Sequence, residues 1–540
     1  MLVNLLETLQ RIASRLSWSS RPSLWLAIAA FLVLAYVVVF APQSLDRWLT
    51  PGILLIAWSL LWYSFVNLFP NAVLRAPPDT EPTAAQRFFL RLRQIGYGVV
   101  SLGLAGTAIG LVMMSSRLLN TWNVGGNLDL DVSQAPTTQS SALPHLHRAA
   151  DGRVVLSWVD TKQDTQEERK RATLKMAVLP NDMADNTWSE AQRVASGSDW
   201  FLNWADFPSV IAIDSQRFGA HWLRRSGAST YAYDVLISQS ADGGKTWQDP
   251  RPPHLDGTAS EHGFVSLFAS PTGLGAVWLD GRNTLAASAD KAMTLRGVQL
   301  AANSATNSAD GEKDESTLLD ARACDCCQTD VATLGETVIV AYRDRSDSEI
   351  RDIAVTRRIN GAWQPGGVIA KDAWRVNGCP VNGPAIAALR HEAKGLAQDT
   401  VVVAWYTEAA GPQVRLALST NAAASFDNAI TVDEHQPIGR VDVEMDDDGS
   451  AIVSWVRRSG DAKDDTAELC VRRVYPGGSM EPLRVVARTS ASRASGFPQM
   501  VRQRDRLVFA WTKTTKTGTD RHSQTLASGI TTATVPIGDI

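Results

Sequence analysis

The stretch VVLSWVD, residues 154–160, decides the reading of this chain, because the chain repeats it. FGAHWLR (218–224), LGAVWLD (274–280), VIVAYRD (338–344), VVVAWYT (401–407), AIVSWVR (451–457) and LVFAWTK (507–513) have the same build. Each is a short apolar run ending on an aromatic, at Trp158, Trp222, Trp278, Tyr342, Trp405, Trp455 and Trp511, spaced by 50 to 64 residues. In most copies a first strand begins about 14 residues before the aromatic, at Pro144, Pro208, Phe264, Gln328 and Val441. An alternating third run follows, as in YDVLISQS (233–240), RDIAVTRR (351–358), QVRLALST (413–420) and AELCVRRV (467–474). A shorter fourth run such as AITVDE (429–434) or PLRVVA (482–487) usually comes next. Four short strands per unit, seven times over, predict an all-β propeller, with the aromatics packed between stacked blades. The unit is too long for a solenoid coil, and a pair of β-sandwiches is the other arrangement the pattern allows. The seventh unit lacks a clear fourth strand, and NLDLDVS (127–133) is expected to supply it and close the ring.

Between the third and fourth strands of the second unit lies SADGGKTW (240–247). Its aspartate can accept backbone N–H groups, its glycines permit positive φ, and its tryptophan can plug the blade. Ser240, Asp242, Gly244, Thr246 and Trp247 match the Asp-box, Ser-x-Asp-x-Gly-x-Thr-Trp, and the chain here resembles the sialidase superfamily of propellers. STNAAASF (419–426) is a weakened copy in the fifth unit. In that family the box lies away from the active site, so the resemblance implies a structural clip and no chemistry. The resemblance spans roughly residues 130–540. It departs from the family twice. Sialidase domains have six blades where seven units are counted here, and no Arg-Ile-Pro motif is present.

The first 120 residues read differently. They hold three uncharged apolar runs, 24–41, 53–69 and 97–114, each close to the length a membrane-spanning helix needs. Arginines cluster in the leader and after the second run, a distribution that puts both on the cytoplasmic side. The expected organisation is therefore a membrane region over 1–120 with three transmembrane helices, followed by an extracytoplasmic propeller over 121–540. As a location this gives a multi-pass bacterial inner-membrane protein with a cytoplasmic N-terminus and a periplasmic propeller. The lipid bilayer is then one partner, and the spans are free to pack against a membrane-protein partner. The whole chain carries a net charge of -4, and residues 121–540 are acidic, which argues against nucleic acid.

Loops leading into the first strand of each blade, and loops joining second to third strands, should gather on one face. Three chemistries compete there. Sialidase-like glycoside hydrolysis needs arginines for a substrate carboxylate, with Arg224, Arg282, Arg343, Arg345, Arg440 and Arg457 as candidates. It also needs an acid, from Asp206, Asp280 or Asp344, and a nucleophile pair, for which Tyr406 with Glu408 is the candidate. Such a site binds a glycan or anionic small molecule and requires no cofactor. The second chemistry uses Cys324, Cys326, Cys327 and Cys379. In an oxidising exterior these form disulfides, with Cys379 to Cys326 or Cys327 tying two blades. Alternatively they bind Cu or Zn, with His262 as a further ligand. The third reading is a docking platform in an envelope assembly. His262 by itself reads as a hydrogen-bonded structural residue, Cys470 as a core thiol, and 303–316 as a disordered loop.

Overall fold

In the computed structural model the apolar runs become the second strands of seven sheets. The structure describes residues 124–163, 170–182, 186–270, 273–285, 291–301, 315–393, 396–459, 465–517 and 524–540. Blade 1 consists of Ser141–Arg148, Val154–Gln163, Lys170–Leu179 and Gln192–Gly197. Blade 2 has three strands, Ser209–Ala212, Phe218–Arg225 and Tyr233–Ser240. Blade 3 runs His262–Ser270, Gly273–Asp280, Met293–Ala301 and Thr317–Ala323. Blade 4 is built on Asp330–Leu334, Thr337–Arg343 and Ile353–Ile359. Blade 5 begins with Ala385–Ala393, Leu396–Thr407 and Gln413–Ser419, and blade 6 with Pro437–Met445, Ala451–Arg458 and Thr466–Val474. Blade 7 contains Gln499–Gln503, Arg506–Thr517 and Gln524–Pro536. Pairing within every blade is antiparallel between chain neighbours, as a propeller requires.

The ring closes as the sequence leads one to expect. Asp131–Ser133 pairs antiparallel with Gln524–Pro536 and becomes the fourth strand of blade 7. Just upstream, Val124–Asn127 adds a parallel strand to blade 6 at Leu483–Ser490. One short segment thus ties the last two blades together. The core is divided in the same circular way. Each buried cluster joins neighbouring blades, and the cluster that packs Trp158 and Leu156 of blade 1 against Val508 and Ile530 of blade 7 completes the circle.

Trp158, Trp278, Trp405 and Trp455 are fully buried between blades. Their indole N–H groups need acceptors there. Trp158 donates to Asp160 at 3.0 Å, Trp278 to Asp280 at 2.9 Å, Trp405 to Asp372 at 2.7 Å and Trp455 to Asp433 at 2.7 Å.

Two expectations are corrected. Among the described residues no helix is long and apolar enough to cross a membrane, and the helices there are three-residue 3-10 turns. A propeller preceded by three transmembrane helices, and a multi-pass inner-membrane location with a periplasmic propeller, are overturned on that finding. The buried apolar residues of the described chain lie mostly in β-strands, packed by lateral stacking of blades. The three apolar runs themselves, 24–41, 53–69 and 97–114, lie outside the described residues, as does most of 303–316.

Candidate functional site

The loops leading into the blades do converge, and one of them closes the mouth. Residues 202–207, between blades 1 and 2, reach across it. The Trp204 ring stacks on Phe497 of the loop before blade 7 at 5.6 Å. The guanidinium of Arg440, before blade 6, lies 5.1 Å over the same Trp204 ring. Gln328, before blade 4, donates to the Ala205 carbonyl at 2.6 Å and accepts from Gly383 N at 2.9 Å. Gly383 is required at that crossing, since a Cβ would sit 2.1 Å from the Gln328 carbonyl oxygen. Beneath this plug is a channel cavity of about 330 Å³, lined by the first strands. The expected open polar funnel is therefore capped by aromatic and amide contacts.

The arginines do not converge. Arg343 is buried at 2 % exposure. It donates to the carbonyls of Asn382 (3.0 and 2.8 Å), Arg351 (2.7 Å) and Tyr406 (2.7 Å), and lies over the Trp374 ring at 4.9 Å. Arg345 bonds Asp325 at 2.9 Å and Glu349 at 2.8 Å. Arg282 holds Asp280 at 2.7 Å, and Arg457 holds Glu468 at 3.1 Å. Arg440 donates to Ser495 Oγ and to the carbonyls of Ala491 and Ser492. Arg224 is exposed. Asp280, an expected acid, accepts from both Trp278 and Arg282, and these partners hold its carboxyl below the usual range despite burial.

Of the tyrosine–carboxylate pairs among the described residues, two involve expected site residues. Tyr406 donates to Glu408, so residues two apart do meet, and burial and this carboxylate together raise the phenol. Sequence reasoning missed the second pair. Tyr233, fully buried at the start of the third strand of blade 2, donates to Glu261 at 2.6 Å and lies 3.3 Å from Asp206 Oδ2. Asp206 also accepts from Phe264 N at 2.8 Å. Burial pushes Asp206 up to about 8 and Glu261 up to about 7. Asp344, the remaining expected acid, is pushed up to about 6, burial being the main cause.

The cysteines form a compact cluster. Cys324 and Cys327 are buried, Cys326 is half-buried and Cys379 exposed. Sulfur atoms of Cys324, Cys326 and Cys327 all lie within 4.8 Å of one another, with Cys324 and Cys327 at 3.0 Å. Cys379, from the loop before blade 5, interacts with Cys326. The expected disulfides are absent: all five cysteines are free thiols, and 3.0 Å is well beyond the ~2.05 Å of an S–S bond. Arg351 Nη1 donates to Cys324 Sγ at 3.2 Å, the charge of Arg343 also acts on Cys324, and the Cys324 N–H donates to the Arg343 backbone carbonyl at 2.9 Å. Burial opposes ionisation of Cys324, yet Cys326, Cys327 and these arginines hold its thiol well below the usual range. Contact with Cys326 brings Cys379 down to about 7. His262 is not among these sulfurs; its ring bonds Asp256 at 3.1 Å.

The Ser240–Trp247 turn is held by its own side chains. Asp242 accepts from Thr246 N at 2.9 Å and Thr246 Oγ1 at 2.6 Å, Ser240 donates to Asp242 at 2.9 Å, and Trp247 Nε1 donates to the Gly244 carbonyl at 3.0 Å.

No protein-family model matches the sequence, and comparison with curated proteins finds no match. Solved structures do resemble it. One is a protein of unknown function from Dyadobacter fermentans, at 12% identity, covering 75% of this chain and 97% of the other, with TM-score 0.38. The NanB sialidase of Streptococcus pneumoniae is similar at 12% identity, covering 77% and 71%, with TM-score 0.35. So is the GH93 α-L-arabinofuranosidase of Fusarium graminearum, at 10% identity, covering 77% and 99%, with TM-score 0.37. At these values the likeness bears on neither substrate nor activity.

Proposed function

We propose that this propeller binds a thiophilic metal ion, Cu(I) or Zn²⁺, at the rim between blades 4 and 5, with Cys324, Cys326, Cys327 and Cys379 as ligands. The observation that carries this is the gathering of four free thiols from two loops, three of them with sulfurs within 4.8 Å of one another. A Cys-x-x-Cys spacing with further cysteines is a donor set for a d¹⁰ ion, and thiolate ligands select Cu(I) and Zn. Arg351 and Arg343 supply positive charge that offsets the thiolates. Cys324 and Cys327 would hold the ion from the buried side, while Cys379 presents a sulfur to solvent. The blades serve as a rigid scaffold for the two loops. When bound, the metal supplies a soft Lewis-acid centre.

A second reading, hydrolysis of a bound glycan or anionic glycoside, is favoured by one observation, the Tyr406–Glu408 hydrogen bond. Against it stand the engaged arginines and the raised Tyr406 phenol, which is a poor nucleophile while protonated. One experiment separates the two. Purified full-length protein, reconstituted anaerobically, is expected to retain one Cu(I) or Zn²⁺ per chain, and Cys326→Ser to lose at least ten-fold in affinity. Stoichiometric metal that is unchanged in Cys326→Ser, or none in wild type, sinks the proposal. Release of a fluorophore from a sialoside that depends on Tyr406 would favour the second reading.

A further inference from the structure

His254, on the loop before blade 3, and His262, the first residue of that blade's first strand, form a group that shares no residue with the cysteine cluster. His254 and His262 lie stacked, with ring centroids 3.8 Å apart and planes within 8°. A single carboxylate oxygen, Asp256 Oδ2, lies 3.1 Å from both His254 Nδ1 and His262 Nε2. Asp256 is fixed in turn by Thr258 N at 2.9 Å and by the Thr258 hydroxyl. A carboxylate only accepts, so those two ring nitrogens carry protons. In a neutral imidazole the opposite nitrogen then carries a lone pair.

Both lone pairs are badly placed for a metal-free site. His254 Nε2 is buried with no hydrogen-bond partner. His262 Nδ1 faces the Tyr233 carbonyl at 3.3 Å and the Asp234 carboxylate at 3.6 Å, two acceptors. A lone pair aimed at two oxygens calls for a cation between them, either a proton or a metal ion. Both distances exceed the ordinary N–H···O range of ~2.7–3.2 Å.

Charge gives the same answer. Asp234, Asp256 and Asp280 surround His262, at 3.6, 3.1 and 3.7 Å. Arg282 is the guanidinium that meets them, at 2.7 Å from Asp280 and 3.3 Å from Asp256. Asp280 is buried, and the Asp256 side chain is 7% exposed. With neutral imidazoles, three carboxylates against one guanidinium leave a double negative charge in a poorly solvated place, which is costly. A divalent cation neutralises it.

We propose that Asp234, His254 and His262 bind a divalent metal ion of the Zn²⁺ class. One ligand atom from each lies within 4.8 Å of the others. Two imidazole nitrogens and a carboxylate oxygen form an open three-ligand set suited to Zn²⁺ and its neighbours, harder than the thiolate cluster. Asp256 is the outer carboxylate that sets the tautomer of both rings. The Asp234 side chain, 21% exposed, gives the ion a route in. A metal ion lies in the plane of each ligating ring, so binding must splay the stacked pair.

The test uses full-length protein with the four rim cysteines changed to serine, stripped by chelator and titrated with Zn²⁺. One equivalent is expected to bind. His254→Gln on that background should weaken it at least ten-fold, and Asp256→Asn by about 10–100-fold. If the four-serine chain does not fold, Co²⁺ titration of the wild-type cysteine background gives the same comparison. The nitrogen–oxygen site contributes visible bands that His254→Gln abolishes, while sulfur charge transfer in the near ultraviolet is unchanged. Equal metal content and equal spectra with and without His254 would overturn the proposal, leaving a proton on His262 as the cation.

Discussion

Asp280 shows how one residue is misread from sequence. It follows a blade aromatic at two residues' distance, as Asp160 does, and a row of such acids beside arginines reads as a ligand funnel. In the fold its carboxylate is consumed by Trp278 and Arg282. The pattern Trp-x-Asp is a buried indole with its acceptor on the same strand face. Arg343 is the same case among the bases. Its place beside an acid suggests a grip on a substrate carboxylate, and in the fold it holds carbonyls from blades 4 and 5 together. Arg343→Ala would leave those buried carbonyls without a donor and is expected to cost about 3 kcal/mol in urea unfolding. Arg343→Lys should recover only part of that, because an ammonium lacks the planar fork. An alanine variant as stable as wild type would return Arg343 to the list of ligand groups. The weakened turn in blade 5 was easier to read. Asn421 accepts from Ser425 N at 3.0 Å and from Ser419 at 2.8 Å, matching what Asp242 does in blade 2.

Strands were legible because their signals are local. Seven aromatic-terminated runs give seven blades, and 127–133 reads as the missing strand of the last one, which pairs over Asp131–Ser133. The loops were legible only as a list. That residues 202–207 cap the mouth depends on Trp204 meeting Phe497 and Arg440, contacts between loops far apart in sequence that no periodicity announces. The cysteines fall between these extremes. Adjacent lead-in loops must be neighbours in a ring, so Cys379 could be brought to Cys326, but whether sulfurs bond each other or a metal is not a matter of spacing. The closing strand also permits a test. Trp188 Nε1, from blade 1, donates to Ser133 Oγ at 3.1 Å and Thr532 Oγ1 at 3.2 Å, the two hydroxyls lying 2.9 Å apart. Ser133→Ala with Thr532→Val leaves that buried donor unmatched, at an expected cost of about 1–3 kcal/mol. If the ring is one cooperative unit, the whole urea transition shifts. A separate early transition for blade 7 would show that the closing strand is not coupled to the rest.

For the molecule as a whole, the ring geometry forces acids inward. Asp206, Asp330, Asp442 and Glu444 lie on or beside first strands and line the channel with His145 and His147. The aspartates also stitch the ring. Asp206 accepts from Phe264 N of blade 3, Asp330 from Ile386 N of blade 5 and Asp442 from Met500 N of blade 7, at 2.8, 2.8 and 2.7 Å. Burial raises all four carboxyls, Asp330 to about 7, and lowers His145 to about 3 and His147 to about 4. At neutral pH His145 and His147 are therefore neutral and Asp206 keeps its proton, while Asp330 stands near its midpoint and Arg148 also lines the channel. Asp206 isolates the consequence. Its carboxyl ordinarily titrates at 3.8, but in the fold it keeps its proton to about 8. Between those values the folded chain binds more protons at this site than the unfolded chain, so this term lowers stability as pH rises and levels off only above pH 8. Asp206→Asn cannot lose a proton. Its side-chain oxygen can still accept from Phe264 N, and its amide can donate to the Tyr233 hydroxyl, which itself donates to Glu261. The stability of Asp206→Asn relative to wild type should therefore climb between pH 5 and pH 8, at up to about 1.4 kcal/mol per pH unit, and become constant beyond. Urea unfolding of both proteins across that range measures it. A difference that stays flat would mean that Asp206 is ionised in the fold, and that the channel takes in water and counter-charge rather than shedding charge.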